Sequence, residues 1–386
     1  MALTKKKPLA IYIHLPFCAQ KCLYCDFASG PADSKTMAYY MRVLLKEIRS
    51  FSPITTLYRV ESIFFGGGTP SFLPPLYIEQ LMQQLRSQFE ISEQAEITLE
   101  ANPGTLEEEK LRIYKAAGIN RLSLGLQSVH ENELKLLGRI HSYEDFLHSY
   151  RLARQTGFRN INVDLMSGLP GQSPASWRES LRQVADLNPE HISAYSLSIE
   201  EGTPFYEKYG SGLGRLALPG DEADREMYHE TKSFLAERGY NRYEISNYAK
   251  AGMESRHNLT YWTMGEYLGF GQAAASFLEN RRVTNPSGTE EYYQAARVSY
   301  RRFKETPPES EKEQMEEYMF LGLRTARGVS REEFKKRFRV SFPPVYERTL
   351  LDLYKQGLLA LEKDRIVLTD QGIDVSNIVL AGFLLD

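Results

Sequence analysis

Cysteine is almost missing from this chain. Three occur in 386 residues, and all three, Cys18, Cys22 and Cys25, lie within eight consecutive positions. An odd, clustered set builds no disulfide framework, which points away from secretion and toward a reducing cytoplasm. An excess of one charge is also missing. With 47 Lys and Arg against 50 Asp and Glu, the net charge is −3, so neither a nucleic-acid surface nor strong attraction to an anionic membrane is expected. No apolar run approaches the roughly 20 residues that cross a bilayer; a peripheral membrane contact is left open. The start, "MALTKKKPLAIYIHLPFC", lacks the long apolar region and small-residue cleavage site of a signal peptide. It reads as a basic lead-in to a strand. No repeat of fixed period and no low-complexity tract is present.

What the chain does contain is a regular alternation. Short β-rich runs at 9–15, 61–68, 95–103, 121–128, 160–168 and 191–198 each precede a helical pattern. Those helices are expected at 34–50, 75–89, 106–117, 131–137 with 143–156, 174–187 and 221–238. Six β-α units in a row imply an α/β fold with a parallel sheet and right-handed crossovers. Polar residues gather at the strand C-termini: the cysteines, Gly66 to Thr69, Glu100, Gln127 and Asp164. Barrels of this kind place their active sites there. A doubly wound sheet gives the same local pattern, so closure stays open. After Gly239 the rhythm changes. "YNRYEISNYAK" reads as a further strand, and "RRFKETPPESEKEQMEEY" (301–318) as a helix end, a linker and a new helix start. In the tail, "LLALEKDRIVLTDQG" reads as a hairpin turning at Lys363–Asp364, then a helix capped by Thr369 or Asp370. Two domains are expected: residues 1–285, and a winged-helix-like unit over 286–386.

The thiol spacing is C-x3-C-x2-C, and four readings compete. Zinc wants four ligands, so His14 or Asp26 would have to complete the set. A disulfide leaves one thiol over. Small core residues at i, i+4 and i+7 need a helix, which Pro16 and the turn-rich context disfavour. An iron–sulfur cube with three thiolates leaves one iron open to another ligand. The cube is favoured, then zinc, then core packing.

Cys18-x3-Cys22-x2-Cys25, with Tyr24 just before the last cysteine, resembles the radical S-adenosylmethionine (SAM) signature. That resemblance implies a partial (β/α)6 TIM-like barrel and a [4Fe–4S] cluster on the three cysteines. Its open iron would bind the amino and carboxylate groups of SAM, and electron transfer would cleave SAM to a 5′-deoxyadenosyl radical. "YIHLPFC", "FFGGGTPS", "LEANPGT", "RLSLGLQS", "LGRIHS", "VDLMSGLPGQ" and "HNLTYW" are similar, in order and spacing, to the oxygen-independent coproporphyrinogen III oxidase-like family. The likeness spans almost the whole chain.

The resemblance carries roles with it. Gly67, Gly68 and Thr69 cradle the methionine amino end of SAM. Glu100, Gln127, Arg139 and Asp164 contact SAM; Arg139 suits a bidentate pair with its carboxylate, and Asp164 can accept from ribose hydroxyls. Tyr12 and Tyr24 flank the cluster and cofactor, and Ser198 and Ala273 are two further SAM-lining positions. His257, in "HNLTYW", is the candidate haem ligand, because it alone among the 7 histidines lies in a motif shared with haem-binding members. Its plainer alternative is a histidine that holds a turn with Asn258. Tyr261 and Trp262 would stack on a porphyrin or simply pack.

Three departures separate branches of the family. Phe27 stands where the oxidase proper has a fourth cysteine, and only 17 residues precede Cys18 where the oxidase has a long arm. Both fit the haem-chaperone branch, which binds haem and passes it to haem-requiring proteins. Ala275, where that branch commonly shows His, shifts weight onto His257. The expected function is therefore a cytoplasmic radical SAM haem chaperone with haem, an electron donor and acceptors such as respiratory enzymes as partners. Alternatives are oxidative decarboxylation of coproporphyrinogen III, radical SAM methyl transfer, and a winged-helix regulator, which the charge balance does not support.

Overall fold

The computed structural model describes residues 6–385, the side chain of Pro343 excepted; the first five residues of the basic lead-in lie outside that range. Six strands run parallel and pair in chain order: β1 (Lys7–Leu15), β2 (Tyr58–Gly67), β3 (Glu90–Ala101), β4 (Arg121–Gln127), β5 (Ile161–Ser167) and β6 (His191–Ser196). A doubly wound sheet reverses its order at a switch point. The unbroken order here is that of a barrel wall, and it settles the topology as a partial (β/α)6 barrel.

The barrel stays open, because β1 and β6 each pair outward instead of with each other. "YNRYEISNYAK", expected as one strand, is a hairpin of β7 (Asn241–Arg242) and β8 (Asn247–Ala249) that adds antiparallel to β6. On the other side β9 (Tyr267–Phe270) joins β1 in parallel, followed by antiparallel β10 (Ala275–Leu278) and β11 (Arg281–Thr284). Both raw edges of the parallel sheet are thus covered.

Strand parity decides what faces the barrel interior. Every residue of β4, "RLSLGLQ", is buried. Leu122, Leu124 and Leu126 pack in the core under the helices, while Arg121, Ser123, Gly125 and Gln127 line the interior cavity. In β5, Ile161, Val163 and Leu165 go one way and Asn162, Asp164 and Met166 the other. The covering helices show the matching stripe. Helix Ser34–Ser50 buries Met37, Tyr40, Met41, Leu44 and Ile48 and starts where the Asp33 side chain accepts from the Thr36 amide. Each such fully buried Leu or Ile contributes about 1.5–3 kcal/mol. Capping boxes at Ser142 and Ser173 fix the starts of Tyr143–Gln155 and Pro174–Asp186.

A buried carboxylate fastens the extension to the barrel. Glu47 accepts from the Gly271 amide (2.9 Å), Asn285 Nδ2 (2.7 Å), Tyr292 Oη (2.8 Å) and Ser299 Oγ (2.8 Å). Helices Thr289–Ala296 and Ser299–Glu305 add Tyr292, Tyr293, Ala296 and Phe303 to the barrel core. A second core runs from Met315 to Phe383. The two cores change over between Phe303 and Met315, so residues 286–305 pack with the barrel.

The C-terminal unit has helices Glu311–Leu323, Arg331–Phe338 and Phe342–Lys355. Its small sheet joins β12 (Val329–Ser330), β13 (Leu359–Glu362) and β14 (Arg365–Leu368) in the order β12-β14-β13. The hairpin turns at Lys363–Asp364 as expected, and Thr369 caps the next helix by accepting from the Gly372 amide. His229 to Asp374 (2.9 Å) and Lys232 to Asp370 tie this unit to the barrel.

Candidate cofactor site

The cysteine loop leaves the C-terminal end of β1 and folds back on itself. The Cys18 amide donates to Gly30 O (3.0 Å), the Gly30 amide to Pro16 O (2.9 Å), and the Leu23 amide to Leu137 O (3.1 Å). The loop is not helical, which removes the helix-face reading of the thiols. His14 Nε2 lies 3.1 Å from Ala28 O and must donate to it, so Nδ1 accepts from the Tyr12 hydroxyl at 3.0 Å. Both nitrogens are spent on holding the loop, and His14 offers nothing to zinc. Among the described residues no three His, Cys, Asp or Glu side chains converge on a single-ion site. A zinc site therefore lacks its fourth ligand, whereas a cube needs only the three thiolates.

The thiols are unbridged. Burial pushes the Cys18 and Cys25 thiols up. Binding to metal as thiolates offsets that cost, and two donors already aim at sulfur. Arg139 Nη1 lies 3.4 Å from Cys22 Sγ, and Thr69 Oγ1 lies 3.7 Å from Cys18 Sγ.

The turn after β2 presses against this loop. Gly67 has φ +113°, and a Cβ there would stand 2.7 Å from the His14 ring. A Cβ on Gly68 would stand 2.7 Å from Phe17 O and 2.8 Å from Cys18 Sγ. The Gly68 amide donates to Leu15 O and the Thr69 amide to Phe17 O, at 2.9 and 2.8 Å. Only glycine permits this approach.

The facing wall comes from β3, β4 and β5. Glu100 accepts from the Gly67 amide at 3.2 Å. Burial, reinforced by Asp164, pushes its carboxyl up to about 8. Asp164 is raised too, by burial, and is held by Asn162 Nδ2 (2.7 Å) and Ser123 Oγ (3.2 Å). Asn102 bridges the two walls: its Nδ2 donates to Thr69 Oγ1 (2.8 Å) and its Oδ1 accepts from Arg139 (2.7 Å). Gln127 takes φ +73° at a register shift in β4.

One cavity of about 330 Å³ unites Cys18, Cys22, Cys25, Tyr24, Gly67, Gly68, Thr69, Glu100, Gln127, Arg139 and Asp164. Burial raises both carboxyls despite the Arg121 charge nearby, so a cationic ligand would favour their ionised forms, and Arg139 suits a carboxylate. SAM carries a sulfonium, an ammonium and a carboxylate. The donor set and the glycine cradle therefore fit a cluster on the three thiols with SAM beside it; the cluster would supply an electron to SAM there.

Four expected residues fall outside this cavity. Tyr12 lies behind its wall, 3.0 Å from where a Cβ of Gly66 would be, with its ring 6.2 Å from Phe64; it supports the site. Ser198 is exposed and donates to Glu200. Ala273 sits in the turn before β10 with φ +57°, its amide donating to Pro286 O. His257 does not line the cavity. It is 1% exposed, Nδ1 lies 3.0 Å from Ser62 Oγ, and Nε2 lies 2.7 Å from Tyr261 Oη. Burial, aided by the Arg121 charge, pulls it down to about 3. Both nitrogens are partnered by hydroxyl groups in this structure.

"HNLTYW" instead forms helix Arg256–Trp262, which plugs the barrel. Glu96 of β3 caps it by accepting from the Arg256 and His257 amides, both at 3.1 Å. Asn258, not His257, reaches the cavity. Sequence reasoning also missed Asn102, Arg121, Ser123, Asn162 and Tyr195 as lining residues. Most could have been found by parity, since they share the inward register of Gln127 or Asp164.

Residues 12–184 match the radical SAM superfamily, and residues 310–375 match the HemN C-terminal domain. "Heme chaperone HemW" of Lactococcus lactis is 36% identical over 99% of this chain and 98% of its own length. That of Bacillus subtilis is 38% identical over 97% and 98%. The coproporphyrinogen III oxidase HemN of Escherichia coli superposes with a TM-score of 0.84 at 24% identity, over 98% of this chain and 90% of that one, a likeness of fold. No described helix is long and apolar enough to cross a membrane. Matched nearly end to end by these relatives, the chain belongs to the HemW haem-chaperone family of the radical SAM superfamily.

Proposed function

We propose that this protein is a haem chaperone: it holds a [4Fe–4S] cluster on Cys18, Cys22 and Cys25 with SAM alongside, binds haem, and passes it to acceptors such as respiratory enzymes in the cytoplasm. The observation that carries this reading is Phe27. It lines the cavity two residues after the last cysteine and is 61% exposed. The oxidase branch is expected to have a thiol at this position; here the position offers an apolar ring. Tyr195, 40% exposed, adds a second aromatic surface to the same cavity. A porphyrin face can lie against such rings. Glu100 binds and orients the cation of SAM, Asp164 accepts from its ribose hydroxyls, and Arg139, held by Asn102, binds its carboxylate.

The test is a haem titration of the cluster-loaded protein, followed by the Soret band, with coproporphyrinogen III offered in parallel under reducing conditions. One haem per chain and no decarboxylation are expected. Absence of haem binding, or conversion of the porphyrinogen, overturns the reading, the latter in favour of the oxidase.

A further inference from the structure

Arg121 opens β4 and is 2% exposed, yet it lines the cavity. Its Nε is buried without an acceptor; the Glu100 and Asp164 carboxyls of the same cavity feel its charge, yet among the described residues none comes within ion-pair distance of it. Thr98, its cross-strand partner on β3, likewise keeps a buried hydroxyl without a partner. The contrast with Arg139 is direct: that guanidinium already bonds Cys22 Sγ, Asn102 Oδ1 and Gly125 O. A buried cation without a partner is costly unless an anion arrives. The nearby imidazole of His191 cannot help, since Asn162 Oδ1 at 2.6 Å and Tyr243 Oη at 2.8 Å occupy both of its nitrogens.

The residues assigned to SAM leave Arg121 unused. SAM brings one carboxylate, and Arg139, beside the thiols, is placed for it. The anion that Arg121 awaits therefore belongs to a second ligand in the same cavity. We propose that Arg121 anchors a carboxylate of that ligand, a propionate arm of haem, in the cavity that Asn258 and Ser193 also line. This rests on the haem-chaperone reading above and deepens it. The guanidinium fork matches a carboxylate with two parallel N–H···O bonds, which a lysine replaces only in charge.

The experiment compares haem with haem dimethyl ester, whose propionates are uncharged, on cluster-loaded wild type, Arg121→Gln and Arg121→Lys. Wild type is expected to bind haem about 10-fold or more tightly than the ester. Arg121→Gln should lose that preference, with ester binding, SAM binding and the cluster spectrum retained, and Arg121→Lys should keep part of it. Equal wild-type affinity for haem and ester overturns the assignment while leaving the chaperone reading intact. So does a preference that survives Arg121→Gln, or a variant that loses SAM in place of haem, which would give Arg121 to the SAM carboxylate. If wild type binds neither porphyrin, both readings fall. A variant that does not fold is recognised by its lost cluster spectrum, and Arg121→Lys then decides alone: an undiminished preference for haem, or none, overturns the anchor.

Discussion

Replacing Glu100 with Gln isolates the cost of a buried carboxyl in the ligand-free protein. Burial and Asp164 raise Glu100 from 4.5 to about 8, against a smaller pull from the Gly67 amide. Between those two values the folded protein keeps a proton that the unfolded chain has released. Stability is therefore full below about pH 4.5 and falls as pH rises toward 8. The interval, 8 − 4.5 = 3.5, corresponds at 1.36 kcal/mol per pH unit to about 5 kcal/mol. With a urea m-value of about 3 kcal/mol/M, that is a midpoint shift of about 1.5 M. Gln does not ionise and lacks the penalty. The two proteins should unfold together below about pH 4, and wild type should unfold about 1.5 M earlier above pH 8. Tryptophan fluorescence is the suitable probe, because both tryptophans, Trp177 and Trp262, lie in the barrel and not in the winged unit. SAM reverses the sign: its cation favours the carboxylate, so affinity should rise with pH up to about 8 in wild type and stay level in the variant. A midpoint gap that does not change with pH refutes the reasoning.

Two further substitutions test the site from other directions. Gly68→Ala drives a methyl to 2.7 Å from Phe17 O and 2.8 Å from Cys18 Sγ. It should cost about 1–3 kcal/mol and lower iron content per chain; a normal cluster spectrum would refute the cradle. His257→Ala removes the contacts to Ser62 and Tyr261 and the stacking on Phe64 at 5.1 Å. It should destabilise the barrel by about 2–4 kcal/mol in a thermal melt while leaving the Soret band of the folded protein unchanged. Lost haem with an unchanged melt would restore His257 as a ligand.

Much of the barrel is legible in the sequence because its signals are local. Parity marks β4 and β5, and an apolar stripe with a capping Asp33 marks helix Ser34–Ser50. The glycine turn was readable for the same reason: Gly67 and Gly68 are dictated by close approach to His14 and Cys18. What was not legible depends on pairing at a distance. The order β1 to β6, which separates a barrel from a doubly wound sheet, is a property of strands whose paired residues, such as Thr98 with Arg121 or Leu15 with Gly67, are distant in sequence. The same holds for residues 286–305. Their helices read as part of the tail, yet Tyr292 and Ser299 answer to Glu47, some 250 residues earlier.

His257 and Arg121 show the same limit from opposite sides. In sequence, a histidine inside a recognisable motif invites a ligand, and an arginine at the head of an apolar strand reads as a boundary charge. The decisive quantity is whether the protein itself satisfies the group. For His257 it does, twice, with side chains 195 and 4 residues away. For Arg121 it does not, although the residue is equally deep and faces the same barrel. Of two buried polar groups, the one without an internal partner is the one whose burial requires something from outside. That moves the search for the second ligand of this cavity from the imidazole in the plug helix to the guanidinium beside it.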